Sequence, residues 1–256
     1  MYKSQKLHFE TKEKKGQGMR YSIVVPCYNE EENAYKLVTS FARLIEKYNA
    51  YDVECIFVEN GSEDRTREKL EKAVKGRKNC SIVYVEENKG YGYGLLQGFA
   101  AASGDYIGWL HADLQVAPRE VFKIISFLEK KTDGRKYFIK GKRSKRSLIE
   151  TFFTVGMTIF ETLLFQTYMH DIGAVPVMFH KDLLKEFDNP PYDFSMDIYC
   201  YYKAKKNHYV EKRCTVLYKE RENGQSAWNK GAFSRIQQSL RVIKASIMLR
   251  KGRQVM

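Results

Sequence analysis

The sequence predicts an α/β fold: a mostly parallel sheet flanked by helices. Three observations carry this. Short β-branched runs alternate with helical periodicity four times between residues 21 and 110. The runs are apolar without polar alternation, as strands covered on both faces must be. Polar clusters follow the strands at 27–30, 59–64, 88–90 and 111–115, where ligands bind in open parallel sheets.

Tyr21–Val25 is the first strand, ended by Pro26. Asn29 is placed to cap the next helix, with Glu30 to Glu32 in its first turn and Leu37, Phe41, Leu44 and Ile45 at helical spacing. Val53–Val58 is the second strand and Ser81–Val85 the third. Gly92 and Gly94 precede a helix from Leu95 to Ser103, and Tyr106–Leu110 is a fourth strand. The glycines are no dinucleotide fingerprint, since a charged loop precedes them. Beyond that strand, His111, Asp113 and Gln115 alternate, so on an extended chain their side chains point one way. Imidazole, carboxylate and amide oxygen at that spacing suit a divalent cation with positions open for phosphate.

A helix over Val121–Leu128, a strand at Tyr137–Lys140 and a cationic loop from Gly141 to Arg146 come next. Residues 148–167 form an amphipathic helix. Leu148, Phe152, Val155, Ile159 and Leu163 are its apolar stripe, widened by Ile149, Phe153, Phe160 and Leu164; Glu150, Thr154, Thr158 and Glu161 are its polar one. Two glutamates argue against a membrane span, leaving core packing or a bilayer-surface helix. Glu211–Tyr218 is a final strand. Residues 231–256 make a basic amphipathic helix with Ile236, Leu240, Ile243 and Ile247 on one face, suited to an anionic membrane or to docking on the domain.

The organisation read from this is a basic arm over 1–19, an α/β domain over 20–230 and the C-terminal helix over 231–256. At 43% hydrophobic the chain supports a sizeable core. Cys27, Cys55, Cys80, Cys200 and Cys214 are odd in number and scattered, so reduced thiols are expected. A net charge of +13 calls for an anionic partner. The acidic strand-end loops argue against nucleic acid, and a homo-oligomer is left open.

Val25-Pro-Cys-Tyr-Asn-Glu-Glu31, Val58-Glu-Asn-Gly-Ser-Glu-Asp-Arg-Thr66, Asn88-Lys-Gly90 and His111-Ala-Asp-Leu-Gln115 together resemble the inverting family 2 glycosyltransferases of the GT-A fold. The subgroup is that of dolichol-phosphate mannose synthase and other polyprenyl-phosphate glycosyltransferases. The resemblance implies that Pro26, Cys27, Tyr28, Asn29, Glu30, Glu59, Asn60, Lys89, Gly90, His111, Ala112 and Asp113 line a nucleotide-diphosphate sugar. It implies Mn²⁺ or Mg²⁺ on Asp113, with Gln115 and His111 assisting. Arg143, Arg146, Asp171 and Ser226 are implied at acceptor or phosphate, with Arg221 beside Asp113, Arg143 and Asp197 among the catalytic residues. Two departures stand out. Glu59-Asn60 replaces an aspartate pair, and His111 replaces a carboxylate, as a metal ligand favouring Mn²⁺ or as a hydrogen-bonding group. The implied acceptor is polyprenyl phosphate, at the cytosolic face of a membrane. The alternative is a saccharide hydroxyl with Asp197 as general base; by its position alone Asp197 is a helix-start carboxylate. A non-catalytic nucleotide-sugar or nucleic-acid binding module is the reading from another class.

Overall fold

The computed structural model describes residues 18–144, 148–219 and 232–251, excepting the side chains of 148–153 and 232–239. The elements are β1 (Arg20–Cys27), α1 (Ala34–Lys47), β2 (Asp52–Asn60), α2 (Thr66–Val74), β3 (Cys80–Val85), α3 (Tyr91–Ala101), β4 (Tyr106–Trp109), α4 (Arg119–Leu128), β5 (Tyr137–Ser144), α5 (Leu148–Phe165), β6 (Val177–His180), α6 (Met196–Lys206), β7 (Val210–Leu217) and α7 (Ala232–Arg250). Seven strands form one sheet in the order β3-β2-β1-β4-β6-β5-β7. All neighbouring pairs are parallel except those of β6, which runs against β4 and β5. The expected α/β architecture is therefore present, with one reversed strand.

β1 runs through Pro26 rather than stopping there, and the ladder explains why. Arg20 and Val24 accept from the Asp105 and Leu110 amides, so even-numbered residues of β1 turn their backbone toward β4. Pro26 shares that parity but lies past Val24–Trp109, the last paired rung. Its missing N–H leaves no ladder bond unmade. α1 begins at Ala34, and Asn29 is not its cap. Asn29 takes a left-handed φ of 53°, and its side chain is used elsewhere.

α3 starts at Tyr91, four residues earlier than expected, and absorbs the glycines. The backbone of 191–193 lies against this first turn: a Cβ on Gly92 would meet the Pro191 carbonyl at 2.4 Å, and one on Gly90 the Tyr192 carbonyl at 2.3 Å. Gly90 also has φ 112°, which disfavours any side chain. The glycines thus admit a second stretch of backbone. β5 likewise extends over Gly141–Ser144, so this part of the expected cationic loop is strand paired with β7.

α5 turns its apolar stripe outward, against core packing and as a bilayer-surface helix would have it. Val155, Ile159 and Leu163 are 51%, 56% and 75% exposed, whereas Glu161 is fully buried. Ser246 of α7 donates to Glu161 Oε1 at 2.7 Å, and Ala245 and Ser246 form the buried face of α7 while Leu240 stands exposed. A hydrogen-bonded carboxyl thus links the two helices. Burial pushes the Glu161 carboxyl up to about 7, with the Ser246 bond opposing it. An unfolded glutamate titrates near 4.3, so the folded state holds the extra proton and stability falls as pH rises from about 4 to 7. Glu161→Gln is therefore expected to raise the melting temperature at about pH 8 and much less at about pH 5, by thermal unfolding at both.

Among the described residues no helix is long and apolar enough to cross a membrane. All five cysteines are free.

Candidate active site

The crown of polar residues sits at the carboxyl ends of β1, β2 and β4. Its first wall is two loops stitched together. Asn29 N–H donates to Ser62 Oγ (3.2 Å) and Asn29 Oδ1 accepts from Glu63 N–H (2.9 Å). Glu30 N–H donates to Thr66 Oγ1 (2.7 Å), and Glu31 N–H to Asp64 (3.1 Å). Asp64 also accepts from both Thr66 N–H (2.9 Å) and its hydroxyl (2.5 Å). The Ser-Glu-Asp-Arg-Thr string thus shapes the loop after β1, a role the sequence alone did not disclose. Tyr28 is exposed and Pro26 half-buried on this wall. Glu30 accepts from the Asn33 amide at 2.6 Å.

Several implied donor contacts are turned inward. The Cys27 side chain belongs to the core cluster, where burial pushes its thiol well up. Glu59 is buried and accepts from Ser62 N–H at 2.7 Å. Asn60 donates to the Gly90 carbonyl at 3.2 Å, and its Oδ1 is a buried oxygen without a partner. Lys89 is exposed, its ammonium 5.4 Å from the Tyr93 ring centre.

His111, Asp113 and Gln115 do not lie on the extended chain expected for them. β4 ends at Trp109, and the following turn includes Leu114 in a left-handed conformation, φ 57°. Alternation by twos therefore stops before these residues. His111 Nε2 lies 3.2 Å from the Tyr91 hydroxyl. Asp113 Oδ1 accepts from Gln115 N–H at 3.1 Å, and the Gln115 amide donates to the Lys219 carbonyl at 3.3 Å. Among the described residues there is no cluster of three metal-binding side chains of the His, Cys, Asp or Glu type. Ala112 and Asp113 are largely buried. The donor set fits a cation that arrives with a diphosphate and takes one carboxylate from the protein. It does not fit a preformed three-ligand cage.

A second group comprises Arg143, Asp171 and Asp197, the last in electrostatic reach of both Arg143 and His111. Asp171 is buried and grips Arg143 through backbone N–H (3.1 Å), Nε (2.8 Å) and Nη2 (2.5 Å). Arg143 lies 5.6 Å from the Tyr218 ring centre, so the guanidinium is fixed in plane and direction. Asp197 is buried in the first turn of α6. Burial raises its carboxyl; Lys140, His111, the Trp109 indole and Arg143 oppose that. Asp197 Oδ1 and Trp109 Nε1 are both buried and make no hydrogen bond of ordinary geometry, the indole acting on the carboxyl from close by. Tyr91 stacks on Phe194 at 4.4 Å and sets the His111 ring edge-on, linking α3, the turn after β4 and the entry to α6. Tyr91, Trp109 and Lys140 were not among the expected site residues. Arg146, Arg221 and Ser226 lie outside the described residues.

A mostly parallel sheet with one reversed strand, with polar loops at its carboxyl ends, is the architecture of the GT-A fold. The chain belongs to glycosyl transferase family 2, whose model matches residues 22–186. It is similar to the dolichol-phosphate mannosyltransferase of Pyrococcus furiosus, 31% identical over 127 residues that make up 48% of this chain and 35% of that protein. It is also similar to the undecaprenyl-phosphate 4-deoxy-4-formamido-L-arabinose transferase of Proteus mirabilis, 33% identical over 44% of this chain and 35% of that one. The matched stretch thus spans well under half the length of these curated relatives. Among solved structures, Mycobacterium tuberculosis glucosyl-3-phosphoglycerate synthase with Mn²⁺, uridine diphosphate and phosphoglyceric acid superposes with a TM-score of 0.70. It covers 92% of this chain and 80% of that one at 18% identity, a likeness of fold.

Proposed function

We propose that this chain transfers a sugar from a nucleotide-diphosphate donor to a polyprenyl phosphate at a membrane surface. The carrying observation is the exposed apolar ridge of Val155, Ile159 and Leu163 on α5, the helix that follows the strand of Arg143. A lipid phosphate needs both a bilayer contact and a cation for its head group, and these stand close in the chain. Two of the similar proteins carry polyprenyl-phosphate acceptors in their names, and a charge of +13 favours an anionic leaflet. On this reading the protein is peripheral, on the cytosolic face.

Tyr28 and Glu30 line the nucleotide in this account. Asp113 would hold Mn²⁺ or Mg²⁺, which supplies neutralising charge to the diphosphate. Arg143, held by Asp171, meets phosphate oxygens with a planar fork. An acceptor phosphate oxygen forms the new bond to the anomeric carbon as the bond to the nucleoside diphosphate breaks. The acceptor is already an anion, so no proton need be removed.

The test is flotation with vesicles containing phosphatidylglycerol. Ile159→Glu with Leu163→Glu is expected to cut the bound fraction about tenfold or more with melting unchanged, since both side chains are exposed. Undiminished binding would remove the support. A second reading, transfer to a saccharide hydroxyl, is favoured by one observation: Asp197 is a buried carboxyl raised by burial, in reach of His111 and the Trp109 indole, as a general base must be.

A further inference from the structure

Lys140 is fully buried in β5. An ammonium taken out of water is costly unless its surroundings supply compensation. Among the described residues its one hydrogen bond is to the Ile172 carbonyl, at 2.7 Å. Its Nζ also lies 5.6 Å from the centre of the Tyr201 ring. Tyr201 stands four residues after Asp197 on α6, so the two share a helix face. The ammonium lies against that face.

The electrostatics agree. Burial pulls the Lys140 amine down to about 8; Asp197 is the strongest group holding it up, with Asp171 and Cys200 weaker and Arg213 opposing. Reciprocally, Lys140 is the strongest group resisting the rise that burial imposes on Asp197, ahead of His111, Trp109 and Arg143. Geometry adds a second link. Lys140 bonds Ile172 while Arg143, three residues along the same strand, bonds Asp171. Two successive residues of one segment are therefore fastened to β5, and one fastening carries the clamped arginine.

We propose that Lys140 is a positioning residue of the site, the internal counter-ion of Asp197, and that through Ile172 it holds the segment that orients Arg143. This rests on the reading that Asp197 and Arg143 border the reacting centre. A site that gathers a diphosphate and a second anion gains from having Asp197 neutralised from behind. A merely space-filling Lys140 would be replaceable by methionine.

The experiment compares wild type, Lys140→Met, Asp197→Asn and the double variant. Lys140→Met is expected to lower the melting temperature by about 5 °C or more in the wild-type background. The same change is expected to be neutral or stabilising beside Asp197→Asn, where it removes a buried unpaired ammonium. Equal loss in both backgrounds overturns the counter-ion assignment. Folded Lys140→Met is expected to lose about tenfold or more in kcat, with donor KM within about twofold; unchanged kcat overturns the positioning role. The melting comparison needs no acceptor, so it decides the charge coupling of Lys140 and Asp197 whichever acceptor the enzyme uses.

Discussion

Asp113→Asn is expected to lower turnover about 10²–10³-fold, the range typical for removing one preorganised electrostatic contact at the developing charge. Asp113 is the carboxylate through which this site would receive a divalent ion, because it supplies the one anionic oxygen ligand among His111, Asp113 and Gln115. The substitution isolates charge from geometry. Asparagine keeps an oxygen able to accept from Gln115 N–H, so the turn and the melting temperature should survive. Steady-state rates with saturating Mn²⁺ measure the effect. A variant within about threefold of wild type would make Asp113 a turn-forming residue only.

Arg143→Ala is expected to destabilise the protein by about 3–5 kcal/mol, because it strands the buried Asp171 carboxylate that the guanidinium neutralises. Removing both partners separates structure from function. Arg143→Ala with Asp171→Ala should recover much of the stability, since no unpaired charge remains, while turnover stays low for want of a phosphate-facing cation. Chemical denaturation and rates on the two variants check this. Recovery of turnover in the double variant would show that Arg143 serves only the fold.

The strand–helix succession through β4 was legible because each strand is a continuous apolar run and each helix has its own period. The reversed strand β6 was not, since Val177–His180 reads the same in either direction and only pairing with β4 and β5 settles it. In the site, the four polar clusters were rightly placed at strand ends, which follows from topology. Their side-chain directions were not legible. Asn29 read as a cap because asparagine before glutamates suits a helix start, yet its backbone is left-handed and its amide bridges to Glu63. The spacing of His111, Asp113 and Gln115 assumed an extended chain that Leu114 breaks. For α5 the pattern left core packing and a bilayer-surface helix both open; the apolar stripe faces outward, while the burial of Glu161 was not legible. Lys140 hid in a strand, where a lone cation reads as an exposed position.

The most direct test of the central claim is transfer of labelled sugar from a panel of nucleotide-diphosphate sugars to a short polyprenyl phosphate in anionic vesicles, with Mn²⁺ and with chelator. The account predicts a lipid-extractable product from one donor that forms with the metal and is lost with the chelator. Turnover of a donor with saccharide acceptors and no lipid product would contradict it.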